Sequence, residues 1–178
     1  MTWAVVDRNV WQFLAEAMHG SYDPTSATRE ARDERIAALR ILLYTPTRLL
    51  ITPSVHIELE RIKRPDVLRE NAGARDVFLQ EIQARDLNEV EVAARAMTLL
   101  VHHNKPADCR AVAEAEAAGA ADFITFDGDL RKHLSPHTFL TIWTTSEYWQ
   151  HLAVPRDADP VWVPAPSNPL APQSWWRW

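Results

Sequence analysis

The chain has 178 residues, 47% hydrophobic and 24% charged, the proportions of a soluble globule of one domain with enough length to bury a full core. No apolar run approaches membrane-spanning length, and the N-terminus lacks the basic-then-apolar pattern of a secretion signal, so a membrane protein is not expected. A formal charge of −5 rules out attraction to nucleic acid by net charge, and the single cysteine, Cys109, rules out an internal disulfide or a cysteine-rich zinc site and suits a reducing cytoplasm.

Trp3 to Val6 is a short apolar run ending at Asp7 and predicts a first buried strand. Val10, Phe13, Leu14, Ala17 and Met18 then follow the spacing of an amphipathic helix. A turn at His19 to Pro24 leads to a second predicted helix over 26–43, with Arg29 and Asp33 four apart on its face. Leu49 to Thr52 predicts a second strand. Pro53 suits a first helical turn, so 54–63 is expected to be helical until Pro65.

Both 74–85 and 88–103 carry helical apolar spacing, and a strand over Leu87 to Val90 is a weaker alternative for the join. Asp108 opens a further helical pattern to Ala118, with Gly119 as its stop. Phe123 to Phe126 predicts a strand ended abruptly by Asp127-Gly128-Asp129. A helical turn to Leu134, a last strand over Phe139 to Trp143 and a helix over Glu147 to Leu152 complete the pattern. Alternating strands and helices predict an α/β fold with a central parallel sheet flanked by helices over 1–152. From Ala153 the composition shifts to proline and ends in Trp175-Trp176-Arg177-Trp178. This 153–178 extension is expected either to fold back, bury into a partner or stay disordered.

The chemistry-bearing residues are acids. In a parallel sheet, Asp7 and Asp127 follow strands and so lie at one edge, where ligands bind. At about 100° per residue, Glu58 falls roughly 60° from Val55, on the apolar side of its helix, while Glu60 points away. Asp108 precedes Ala111, Val112 and Ala115, so it stands on the core side of its own helix. Inward carboxylates are costly unless paired or bound to a cation, and no lysine or arginine shares those stripes. Taken singly, Asp7, Asp108 and Asp127 also read as helix N-caps. Taken together, Asp7, Glu58, Asp108 and Asp127, with Asp129 nearby, make a set of oxygen ligands that selects Mg²⁺ or Mn²⁺. Asn9 is expected to orient Asp7 and Thr125 to meet the metal or Asp127; a turn amide and a strand hydroxyl are the plain alternatives.

Val5-Val6-Asp7-Arg8-Asn9-Val10, Pro53 to Leu59 with its Glu, Ala107-Asp108 and Ile124-Thr125-Phe126-Asp127 occur in the order seen in PIN-domain ribonucleases. The chain resembles that family over residues 1 to about 150, and among its members the toxins of VapBC-type toxin–antitoxin pairs. The resemblance implies a PIN-like three-layer fold, Mg²⁺ or Mn²⁺ dependence and hydrolysis of single-stranded RNA. It also implies Asp7, Glu58, Asp108 and Asp127 as catalytic metal ligands with Asp129 as an auxiliary, a protein antitoxin as partner, a homodimer and a cytoplasmic location. The chain departs from a compact member in its extra length between Glu58 and Asp108 and after Leu152. Arg8, where the family often has a small polar residue, reads as a harmless change.

Two other functions fit parts of the pattern. Phe126-Asp127-Gly128-Asp129 after a strand suggests a haloacid-dehalogenase-like phosphatase, although Arg131 stands where that motif wants Thr or Val. An acidic cleft also suits a non-catalytic module that receives a partner's Arg or Lys. Other residues read more plainly. His133 and His137 are separated by Ser135-Pro136 and do not align as ligands, His102-His103 suits a helix C-terminus, and Cys109 is a small buried residue. Arg29, Arg32 and Arg35, and separately Arg61, Lys63 and Arg64, are the basic groups available for RNA phosphates or simply for a solvated face.

Overall fold

A computed structural model describes residues 2–20, 22–62 and 80–178. Five strands form one all-parallel sheet: β1 (Trp3–Val6), β2 (Arg48–Ile51), β3 (Gln80–Glu81), β4 (Asp122–Ile124) and β5 (Thr141–Trp143), in the order β3-β2-β1-β4-β5. Val5 stands opposite Leu50 on one side and Phe123 on the other, and Val6 opposite Ile124. Ala4, Val5, Val6, Phe123 and Ile124 are at most 1% exposed. This is why the strands read as unbroken apolar runs: helices cover both faces of the sheet, so neither set of side chains meets water.

Seven α-helices flank the sheet among the described residues: α1 (Arg8–Met18), α2 (Arg29–Tyr44), α3 (Pro53–Glu60), α4 (Glu89–Leu100), α5 (Pro106–Ala117), α6 (Gly128–Leu134) and α7 (Thr145–His151). α2 packs on α7 and α1, while α5 packs on α4 and α3, giving the expected helix–sheet–helix layering. Local chemistry sets the helix starts. Asp7, Thr52 and Asp127 accept backbone N–H bonds at the heads of α1, α3 and α6, and Thr144 and Glu147 form a reciprocal capping box on α7.

Four expectations change. The stretch 87–90 is not a strand: Asn88 caps α4, which begins at Glu89. The edge strand is instead Gln80–Glu81, inside the span read as a helix over 74–85; residues 74–79 lie outside the described residues, and Ala84–Asp86 is a 3-10 turn. Two residues are too few to show an alternating pattern. α5 starts at Pro106, so Asp108 is the third helical residue rather than the opening one, and Lys105 takes the N-cap position. Proline fits that first turn because its missing N–H would have had no partner there. The helix read over 54–63 ends at Glu60, and its last predicted residue, Lys63, lies outside the described residues with Arg64 and Pro65.

The proline-rich segment after α7 packs onto the domain. Trp176 is 0% exposed and Leu170 1%, both within the same apolar core as β1. Trp176 Nε1 donates to the Leu170 carbonyl at 3.0 Å, and Arg40 on α2 donates to the carbonyls of Trp176 (3.2 Å) and Arg177 (2.7 Å). Trp178 packs edge-on against Trp149, and its backbone N–H donates to the Tyr44 hydroxyl at 3.0 Å. At the far end of α1, Gly20 has φ +76°, and a Cβ there would come within 2.5 Å of Pro169. Glycine at this turn is what lets the segment approach.

Candidate functional site

The chain leaves β1 for β2 on one side and has β4 on the other, so sequence order reverses at β1. In open parallel sheets the crevice beyond the strand ends at such a switch point is the usual ligand site. Asp7 leaves β1 there, its N–H still bonded to the Ile124 carbonyl of β4 at 3.0 Å. Its carboxylate is buried: Oδ1 accepts from Val10 N–H at 2.8 Å, and Oδ2 accepts from the Thr125 hydroxyl. No basic side chain among the described residues pairs with Asp7. Burial pushes its carboxyl up to about 6, and the charge of Asp108 adds to this, against the opposing bonds from Thr125 and Val10.

Asp7, Glu58 and Asp108 line one small cavity with Arg8, Ser54, Val55, Ala107, Ala111, Phe123 and Leu130. Three elements thus deliver three acids to one place, as the sequence predicts for these members. Glu58 is half-buried on the inner side of α3, and Glu60 is exposed. The N-terminus of α3 is tied to α5: Glu114 Oε2 accepts from Ser54 N–H (2.9 Å) and Ser54 Oγ–H (2.7 Å). Glu114 is 1% exposed and is neutralised by Arg110 Nε at 2.7 Å, while Arg110 also reaches Glu89. A carboxylate at a helix N-terminus is favoured by the unpaired N–H groups there.

Asp127 and Asp129 do not line that cavity. With Asn9, Phe126 and Gly128 they line an adjoining hollow. Asp127 Oδ1 caps α6 by accepting from Asp129 and Leu130 N–H at 2.9 and 3.0 Å, and Asp129 is exposed. Thr125 joins the two hollows: its hydroxyl donates to Asp7 and accepts from Asp127 N–H at 2.8 Å. Asn9 does not play its expected part. Its side chain is exposed and makes no hydrogen bond to Asp7; only its backbone N–H faces that carboxylate.

Two basic residues were not assigned to the site by the sequence: Lys105, and His103, which read as a helix C-terminal residue. His103, with a side chain only 2% exposed, has Nε2 2.8 Å from Asp108 Oδ2. Lys105 Nζ lies 2.6 Å from Asp127 Oδ2 and 3.9 Å from Asp108 Oδ2. Burial raises the Asp127 carboxyl, but the bond from Lys105, with those from Leu130 and Asp129, outweighs it and holds the group below its ordinary value. The same pair raises the Lys105 ammonium, chiefly through its hydrogen bond to Asp127. Arg8 Nη1 stands 3.9 Å from Glu58 Oε2, so the departure at Arg8 places a charge beside an acid of the site. The expectation that no cation neutralises these acids was drawn from helix stripes. Lys105 and Arg8 act from cap and first-turn positions off those stripes.

The acids suit a hard divalent ion in kind, being oxygen donors around a buried carboxylate with no cationic partner among the described residues. Their present pose is another matter: among the described residues, no three His, Cys, Asp or Glu side chains form a group that holds an ion. Glu58, Asp108 and Asp127 are turned toward Arg8, His103 and Lys105. Of the other sequence-singled groups, His137 stacks on His102 at 3.4 Å and His133 lies 5.9 Å from His103, so they form no shared site. Arg35 sits over the rings of Phe13 and Tyr22, and Lys63 and Arg64 lie outside the described residues. No protein-family model matches the chain, and no curated protein matches it.

Proposed function

We propose that the protein is a metal-dependent endoribonuclease that hydrolyses single-stranded RNA in the cytoplasm, acting as the toxin of a toxin–antitoxin pair. The observation that carries the reading is the cavity at the β1/β4 switch point, where Asp7, Glu58 and Asp108 meet and Asp7 has no cationic partner among the described residues. The order of the short acidic motifs along the chain supports it. Asp7, Glu58 and Asp108 would hold Mg²⁺ or Mn²⁺, with Asp127 and Asp129 completing the set from the adjoining hollow. A divalent ion there would lower the pKa of water so that hydroxide is available as nucleophile at neutral pH, and would stabilise the leaving oxygen of a phosphodiester. Thr125 fixes Asp7, and His103 fixes Asp108, so that both present the same oxygens to each substrate.

The test is cleavage of single-stranded RNA by the purified chain with Mn²⁺ or Mg²⁺, and its abolition by chelator. Asp7→Asn and Asp108→Asn are each expected to abolish it, and cleavage that persists in either variant defeats the assignment. A small DNA-binding protein encoded beside this chain is the expected antitoxin, and a homodimer the expected assembly. A second reading has an observation of its own. Lys105 and Arg8 already sit against the acids, which is how a non-catalytic module would receive a partner's basic side chain. Absence of Mn²⁺ and Mg²⁺ affinity in the free chain would favour that module. The phosphatase reading gains less, because Asp127 spends Oδ1 on capping α6 and Oδ2 on Lys105.

A further inference from the structure

Lys105 occupies an unusual position. Pro106 restricts the residue before it to extended backbone, and Lys105 has φ −106° and ψ 104°, so its side chain leaves α5 at the helix start. It crosses to the end of β4 and brings its ammonium to 2.6 Å from Asp127 and 3.9 Å from Asp108. Asp129 adds to the negative field around it, and His103 Nε2 lies 2.8 Å from the same oxygen of Asp108. The ammonium is thus the positive charge between the cavity of Asp7, Glu58 and Asp108 and the hollow of Asp127 and Asp129. The side chain is also 51% exposed. Exposed ion pairs are weak and exchange readily, even where the contact is short.

We infer that Lys105 is an exchangeable counter-ion of this cleft: its ammonium neutralises Asp127 and Asp108 until a divalent cation displaces it, and the freed side chain then pairs with the phosphate backbone of the RNA. The inference rests on the nuclease reading and adds to it a residue that sets metal affinity and substrate binding in opposite directions. Two cations drawn to the same carboxylates oppose each other by a reciprocal coupling, so removing one tightens the other. A lysine that merely propped the site open would do the reverse, since its loss would loosen the acids and weaken metal binding.

The experiment compares the full chain with Lys105→Met, which keeps the aliphatic stem, and Lys105→Arg, which keeps the charge. Mn²⁺ affinity is measured by calorimetry without RNA, and steady-state cleavage of a single-stranded RNA separately. Lys105→Met is expected to bind Mn²⁺ about 5- to 50-fold more tightly and to show a several-fold higher KM for RNA. Lys105→Arg is expected to stay near wild type in both. In the unmutated protein, acetylation of Lys105 followed by mass spectrometry should speed up several-fold on adding Mn²⁺, with Lys132 as the internal control. If wild type binds Mn²⁺ and cleaves RNA while Lys105→Met binds the ion equally or less tightly, the inference falls and the nuclease reading stands. Unchanged KM overturns the phosphate half, and Mn²⁺-independent labelling overturns the exchange. If wild type and both variants fail to bind millimolar Mn²⁺, the nuclease reading falls with the inference.

Discussion

Asp7 gives one oxygen to the Val10 amide and the other to the Thr125 hydroxyl, so it is hydrogen-bonded but not neutralised. Its carboxyl ionises near 3.8 in an open chain and near 6 in the folded one. Well below pH 3.8 it is protonated in both states and costs the fold nothing. Between pH 4 and 6 the unfolded chain releases the proton first, so stability falls as pH rises and stays lower above 6. Asp7→Asn keeps an N-capping side chain and removes the charge. In chelator, it is expected to leave the melting temperature unchanged at about pH 2.5 and to add up to about 3 kcal/mol at pH 7.5. Thermal melts at the two pH values check this, and equal shifts at both would mean that buried charge is not the cause. Asp7 itself was legible in the sequence because it ends an apolar run. Thr125 was legible as a partner of the site, but its bond to Asp7 joins residues that only the β1–β4 pairing brings together. Lys105 and His103 were not legible, since a cap position and the turn after α4 belong to no periodic stripe.

At the scale of elements, the placing of Glu58 depends on how α3 is held against α5. Glu114 bonds both the amide and the hydroxyl of Ser54, one turn before Glu58, and stands on the helix that also carries Asp108. Glu114→Ala leaves Ser54 N–H without its acceptor and strips Arg110 of its buried partner. A loss of about 2 kcal/mol is expected, with Glu114→Gln losing less because it keeps one acceptor. Urea unfolding measures it, and a midpoint unmoved in the alanine variant would show that α3 is held by packing alone. Buried Glu114 was hidden from a reading by periodicity, because an acid two turns into a helix reads as a solvated residue. The helices and the strands β1, β2, β4 and β5 were legible because each shows either helical spacing or a continuous apolar run. β3 was not, because two edge residues carry too little pattern and the residues before them lie outside the described part.

At the scale of the molecule, residues 153–178 had been set apart from the domain by composition, yet they complete its core. Trp176 fills a fully buried position beside Tyr44, and Arg40 fastens its carbonyl and that of Arg177. Trp176→Ala is expected to cost about 3–5 kcal/mol. Deleting 153–178 should lower the melting temperature and reduce solubility by uncovering Tyr44 and Trp149. Size-exclusion chromatography with a thermal melt decides it: a truncated chain of unchanged size, solubility and melting temperature would make the segment an independent tail. Proline content alone pointed to disorder. The tryptophans among the prolines are what supply enough apolar surface to hold the segment in place.

The position of β1 in the sheet has a kinetic side. The first strand of the chain needs neighbours that begin at residues 48 and 122, so its two ladders close loops of very different length. Contacts so far apart in sequence form slowly, because each must overcome the entropy of the intervening chain before it yields any binding. A nascent or clipped polypeptide that stops short of Ile124 has only one wall of the crevice and lacks the hydroxyl that steadies Asp7. Without that strand Thr125 does not hold the Asp7 carboxylate at the crevice that Glu58 and Asp108 also line, so the cavity is completed only when the late-arriving strand docks.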